Sequence, residues 1–260
     1  MVDILALAPV AEVVKTPATL LSFLLCVTVA TYVQTLTGFA FGLVLLSLVT
    51  TFNLASVADA ANISSVLTLI NAVAFFRAER QAPPWKMMRP ALMASLLTVL
   101  LGVLSLRWIH DHAASWLETG LGIVIILCAV SLVVRKEQAA RVGPPHSFAI
   151  AGALSGLLGG LFGTSGPPIV FYLYRQPLAL DVVRRALLVM FASNSGMRLL
   201  MVVLSMGITP RALLLCVLSV PIVQITTRLT MKAPPPLPPN VMRSVVAALL
   251  ALSGFAMVVR

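Results

Sequence analysis

Eight apolar blocks, at residues 18–52, 54–76, 87–106, 117–134, 148–173, 182–204, 212–225 and 241–259, make up most of this chain. They show little helical period or alternation, and a segment apolar on every side belongs in lipid, where about 20 residues cross roughly 30 Å of hydrocarbon. With 60% hydrophobic and only 10% charged residues, a soluble core is excluded. The expected fold is all-α, a polytopic membrane protein of about eight transmembrane helices. The net charge of +10 resides mostly between blocks, where lysine and arginine hold loops at the cytoplasmic face and meet anionic head groups; lipid is therefore the expected partner and nucleic acid is not. Cys26, Cys128 and Cys216 each lie inside a block without the spacing of a metal site or disulfide framework, so no metal or cofactor is expected.

The blocks divide four and four around the polar stretch RKEQAARVGPPH. A glycine break at Gly38 to Gly42 has a counterpart at Gly163 to Gly166, 125 residues on (163 − 38). Asp59 and Asp181 open the second and sixth blocks, 122 apart (181 − 59), and Asn71 and Asn194 lie within them, 123 apart (194 − 71). A near-constant offset predicts two homologous halves. The expected organisation is residues 1–17 as an N-terminal segment with scope for an interfacial helix, 18–134 as the first repeat, 135–147 as a basic linker and 148–260 as the second repeat. If all eight blocks cross, ten lysines and arginines fall on the side of the termini against seven opposite, which favours cytoplasmic termini. The first block, some 35 residues, would span about 52 Å as one helix. A full helix plus a half-helix fits it better, and a half-helix that turns back would change that count.

GGLFGTSGPP, from Gly159 to Pro168, packs four glycines and two prolines into the fifth block. Unpaired backbone groups in hydrocarbon cost several kcal/mol each, so such a break survives only against protein or a water-filled cavity. The predicted result is a helix broken at Gly163, Thr164, Ser165 and Gly166 that resumes at Pro167, aiming free N–H groups and a positive dipole end at a cavity suited to an anion. TGFAFG, from Thr37 to Gly42 and preceded by Gln34, is the matching break in the first block; its glycines would serve close helix packing equally well.

TGFAFGL and GLLGGLFGTSGPPIVFYL resemble the paired glycine-rich motifs of the sulfite exporter TauE/SafE family, and the resemblance extends over essentially the whole chain. It implies a multi-pass inner-membrane permease for small anions such as sulfite, sulfoacetate and related organic acids.

Arg198 lies sixteen residues into the sixth block, and an intramembrane ionisable residue marks a functional site by default, although its stem is long enough to snorkel. Asn194 is one turn earlier on the same face, and Asn71 would offer a second amide; both could instead bridge helices. The candidate substrate site is therefore Gln34, Thr37, Gly38, Gly42, Asn71, Gly163, Thr164, Ser165, Gly166, Asn194 and Arg198. Asp59 and Asp181 are candidates for coupling to protons or another ion, or are helix caps. Pro221, followed by Gln224, Thr226 and Thr227, marks a kink or an early helix end in the seventh block. His110, His112 and His146 fall in linkers.

Exporter of small anions by alternating access is the leading reading, with a homo-oligomer compatible with it. An anion channel is the alternative. GTSG also fits the G-x-S-G pattern of intramembrane serine proteases, with Ser165 as nucleophile, but no histidine occurs within an apolar block to act as base.

Overall fold

A computed structural model describes residues 17–79, 81–112, 141–162, 165–205 and 207–233, with isolated helical positions at 120, 123, 126, 127, 130, 248, 251 and 255. Expectations about the N-terminal segment, Cys128, most of the fourth block and linker, the eighth block, Gly163 and Thr164 fall outside the described residues. Within them every regular element is helical: α1 (Pro17–Thr37), α2 (Phe41–Thr51), α3 (Val57–Glu79), α4 (Trp85–His112), α5 (Pro145–Phe162), α6 (Pro167–Tyr174), α7 (Leu180–Ser205) and α8 (Pro210–Lys232). α1, α3, α8, Trp85–Ser105 of α4 and Leu180–Leu204 of α7 are long and apolar enough to cross a bilayer. Leu21, Leu97 and Leu204 face outward, Leu204 with 73% of its surface exposed. Such a surface suits lipid. The chain is an all-helical, multi-pass membrane protein.

α8 passes through Pro221 and continues to Lys232, which overturns the early end allowed for the seventh block. Thr209 starts it by accepting the Ala212 N–H at 3.1 Å, and Pro210 occupies the first turn, where no N–H is needed. α4 likewise runs on to His112 and α5 begins at Pro145. His110, His112 and His146 therefore belong to helix ends and not to linkers, because a polar helix terminus at the interface finishes its turns in water.

Close approach fixes the relative direction of neighbours. A methyl added to Gly152 would lie 2.6 Å from the Ala91 Cα, one on Gly156 2.7 Å from the Ser95 Cα, and one on Gly160 2.8 Å from the Gly102 Cα. Small residues four apart thus bring α5 onto α4 backbone to backbone, and the two run parallel. α3 and α8 also run parallel: Thr209 donates to Asp59 at 2.8 Å near their starts and Thr227 donates to Asn71 at 2.7 Å further along. α3 and α7 are antiparallel, since Arg198 meets Asn62 and Arg184 lies over Phe75.

Two helix pairs fold back on themselves. Gly38, at φ 81°, and Ala40, at φ 74°, turn the chain between α1 and α2, and α2 packs on both α1 and α3. After α5, the Ser155 hydroxyl donates to the Ser165 carbonyl, so the chain has doubled back by Ser165. Past α6, Gln176 accepts the Gly143 N–H at 2.8 Å, returning to the face from which α5 departed.

Candidate functional site

The two turns meet around one pocket. Gln34 from α1, Ala40, Phe41 and Gly42 at the start of α2, Thr68 from α3, Ser165 before α6, and Phe191 and Ser195 from α7 enclose about 10 Å³, the room of a single water. Ala40 caps α2 without a side-chain hydrogen bond, leaving the first N–H groups of that helix beside the pocket with the positive end of its dipole. α6 also starts uncapped by a side chain, at Gly166, but its first two helical positions are prolines and donate nothing. Thr37 closes α1: its hydroxyl, 2.7 Å from the Val33 carbonyl, accepts the Phe39 N–H at 3.3 Å. A side chain at Gly38 has no space, because its Cβ would lie 2.7 Å from the Arg184 carbonyl oxygen.

Two buried amides tie the turns to the spanning helices. Asn71 donates through Nδ2 to Gln34 Oε1 at 2.6 Å and accepts from Thr227 at 2.7 Å. Asn194 donates through Nδ2 to Ser165 Oγ at 2.9 Å and accepts from Ser95 at 2.5 Å. Asn71 thus ties α3 to α1 and α8, and Asn194 ties α7 to α4 and to the turn before α6. Bridging between helices, the bland alternative for these residues, is part of what they do.

Arg198 is 3% exposed. Its Nη1 donates to Asn62 Oδ1 at 2.9 Å and to Ser65 Oγ at 3.3 Å, while Nε has no hydrogen-bond partner among the described residues. Snorkelling does not describe this side chain, which crosses to α3. Both described partners are neutral, so they supply the guanidinium no counter-charge. Ser65 lies one turn from Thr68 and Arg198 one turn from Ser195, which places the guanidinium near the pocket but outside its lining. Asn194 and Arg198 share a helix face but bond to different neighbours.

Asp59 and Asp181 sit in the first turns of α3 and α7. The cap of α3 is Ser56, whose hydroxyl accepts the Asp59 N–H at 3.1 Å, so Asp59 favours the helix dipole instead of capping it. Thr68, Ser195, Ser65, Asn62 and Ser95 were not singled out from sequence, and Thr227 was noted only beside the Pro221 kink. The signal was present on α3, where Asn62, Ser65, Thr68 and Asn71 recur every three residues through an apolar block.

A multi-pass helical protein that buries amides, hydroxyls and an arginine around paired backbone turns has the construction of a membrane transporter. Residues 23–257 match the model of the family described as sulfite exporter TauE/SafE. The chain is 33% identical over 220 residues to the "Probable sulfite/organosulfonate exporter TauE" of Cupriavidus necator, covering 85% of this chain and 86% of that one. It belongs to the sulfite exporter TauE/SafE family. No solved structure matches it.

Proposed function

We propose that this protein exports small oxyanions, sulfite and organosulfonates foremost, by alternating access around the pocket where its two turns meet. The convergence of Ala40 to Gly42 and Ser165 on one cavity, a turn from Arg198, carries the reading. Free N–H groups of α2, the Ser165 and Ser195 hydroxyls and the Gln34 amide are donors suited to sulfonate oxygens, and Arg198 supplies the full positive charge that helix ends lack. Thr37, Gly38 and Gly166 shape the two turns, and Asn71 and Asn194 position them. An enclosed space the size of one water admits no oxyanion until α2 or α6 moves, as an occluded carrier requires and an open channel does not. Ser165 has an amide neighbour instead of a base, which supports a binding role over a nucleophilic one.

In this reading α1–α2 and α5–α6 are broken, re-entrant pairs, and residues 18–134 and 148–260 are inverted repeats, because the mates α3 and α7 run in opposite directions. Nine described cations then collect on one face: Arg77, Lys86, Arg89, Arg141, Arg175, Arg184, Arg185, Arg228 and Lys232. Arg107 and Arg211 fall on the other. The larger set marks the cytoplasm. α1 therefore starts on the periplasmic side of an inner membrane, which reverses the orientation favoured when all eight blocks cross. Asp59 and Asp181, at opposite faces, are placed for proton exchange with either compartment.

Counterflow in vesicles tests transport: unlabelled sulfite inside should accelerate uptake of labelled sulfite, and uptake indifferent to it would favour a channel. Orientation is read in a cysteine-free variant. Phe52→Cys, at an exposed position, should react in whole cells with an impermeant maleimide, and Gln81→Cys only after lysis; the opposite pattern would overturn the assignment.

A further inference from the structure

Between α3 and α8, on the side of both helices turned away from the transport pocket, lies a groove of about 360 Å³. Thr68 and Asn71 occupy the inner face of α3, whereas Leu69, Val73 and Arg77 line the groove, the last two exposed at the outer surface. Its polar lining is Arg77, Arg228 and Gln224; its walls include Leu69, Val73 and Val220, and none of the described residues that line it is acidic.

The polar groups are ordered by depth. Arg77 stands two residues from the end of α3 and Arg228 four from the end of α8, on the face richer in cations. Gln224 is one turn deeper on α8. Leu69 lies eight residues before Arg77 and Val220 eight before Arg228, about 12 Å further into the hydrocarbon at 1.5 Å per residue. Two guanidiniums at the interface, an amide below them and an apolar trough below that match, in order, the phosphate, ester carbonyls and acyl chain of a glycerophospholipid.

We infer that this groove is a binding site for an acidic phospholipid, with the phosphate between Arg77 and Arg228, the Gln224 amide donating to an ester carbonyl and an acyl chain along Leu69, Val73 and Val220. Basic pockets between membrane helices on the cytoplasmic side select such lipids. Charge complementarity distinguishes this occupant from a zwitterionic lipid, whose ammonium would meet two like charges. The site is independent of the transport reading, but it abuts the α3–α8 seam held by Thr227 and Asn71, so a bound lipid would brace the joint between the two halves.

The test is native mass spectrometry of the detergent-solubilised protein titrated with dioleoylphosphatidylglycerol or dioleoylphosphatidylcholine. The glycerol lipid should bind about thirtyfold more tightly, each arginine contributing about fivefold. That preference should vanish in Arg77→Gln/Arg228→Gln, and either single change should remove about fivefold if the double variant does not fold. Val220→Trp, which fills the trough, should weaken both lipids while the protein stays monodisperse. Equal affinity for the two lipids, a preference that survives the double substitution, or a dimer that dissociates in the double variant would each overturn the assignment, the last by making a second copy the occupant.

Discussion

The two buried asparagines hold equivalent places and end in different chemistry. Around each, the amide nitrogen donates to a side chain at or just before a backbone turn and the carbonyl accepts a hydroxyl from a helix distant in sequence, so neither turn is held by its chain neighbours alone. One turn beyond Asn194 comes Arg198, buried against α3; one turn beyond Asn71 comes Phe75, 1% exposed, with the Arg184 guanidinium 4.4 Å above its ring. α7 therefore supplies the cation at both places. The two turns are framed by similar amide and hydroxyl bonds, and the charge is added unequally, with both arginines on one helix.

The sharpest way to break that comparison is to remove the charge. Arg198→Ala should reduce anion affinity by some thirtyfold to several thousandfold, the equivalent of about 2 to 5 kcal/mol for a lost charge-assisted contact to a buried ligand. Arg198→Lys should also impair transport strongly, because an ammonium is a point charge and cannot offer an oxyanion the two parallel N–H groups of a guanidinium. Vesicle uptake close to wild type for the lysine variant would take Arg198 out of anion binding and leave the helix ends to do it.

Next in size is the turn of the first half. Gly38 combines a φ of 81° with a Cβ direction only 2.7 Å from backbone of α7. Gly38→Val should cost about 1 to 3 kcal/mol in backbone strain alone, with the contact added to it, and lower the melting temperature in detergent. Gly196, where a methyl would meet nothing closer than 3.7 Å, supplies the contrast: Gly196→Ala should leave the melting temperature near wild type or raise it, since alanine favours the helix. An equal loss at both positions would mean that Gly38 is not a fixed point between the halves.

The membrane class and the polar landmarks were legible because each is local. Block length needs no partner to be read, and a buried asparagine or arginine in an apolar run is conspicuous by composition. What hydropathy cannot carry is direction. α2 and α6 are as apolar as helices that continue across, so whether the chain proceeds or turns back at Ala40 and Ser165 depends on contacts with α1 and α5. In the proposed topology the count of cations shifts with those turns, from ten against seven for eight crossings to nine against two over the described positions. The partners of Ser95 and Thr227 were not legible for a related reason: a lone hydroxyl in a membrane helix can bond to its own backbone four residues earlier, as Thr227 also does to Val223 at 2.7 Å. Only the approach of another helix gives it a second acceptor.

The smallest effect separates the two asparagine networks themselves. Thr227→Val and Ser95→Ala each remove one hydroxyl donor from an asparagine carbonyl and leave that oxygen buried. In the first network the loss is cushioned twice. Thr35 Oγ1 stands 3.5 Å from the same Asn71 oxygen and can share with it the proton it directs at the Thr31 carbonyl, and Thr227 already divides its single proton between Asn71 and Val223. Valine also keeps the shape of threonine, so no cavity opens. In the second network Ser95 is the donor described for Asn194 Oδ1, at 2.5 Å. Hydrogen bonds between membrane helices average about 0.6 kcal/mol and reach about 1.7, so Thr227→Val should fall near the lower value and Ser95→Ala near the upper, read as free energies of unfolding in mixed micelles. The ranking is the informative part: if Thr227→Val proves the costlier change, Asn71 has no reserve donor, and the two halves hold their turns by equally exclusive bonds.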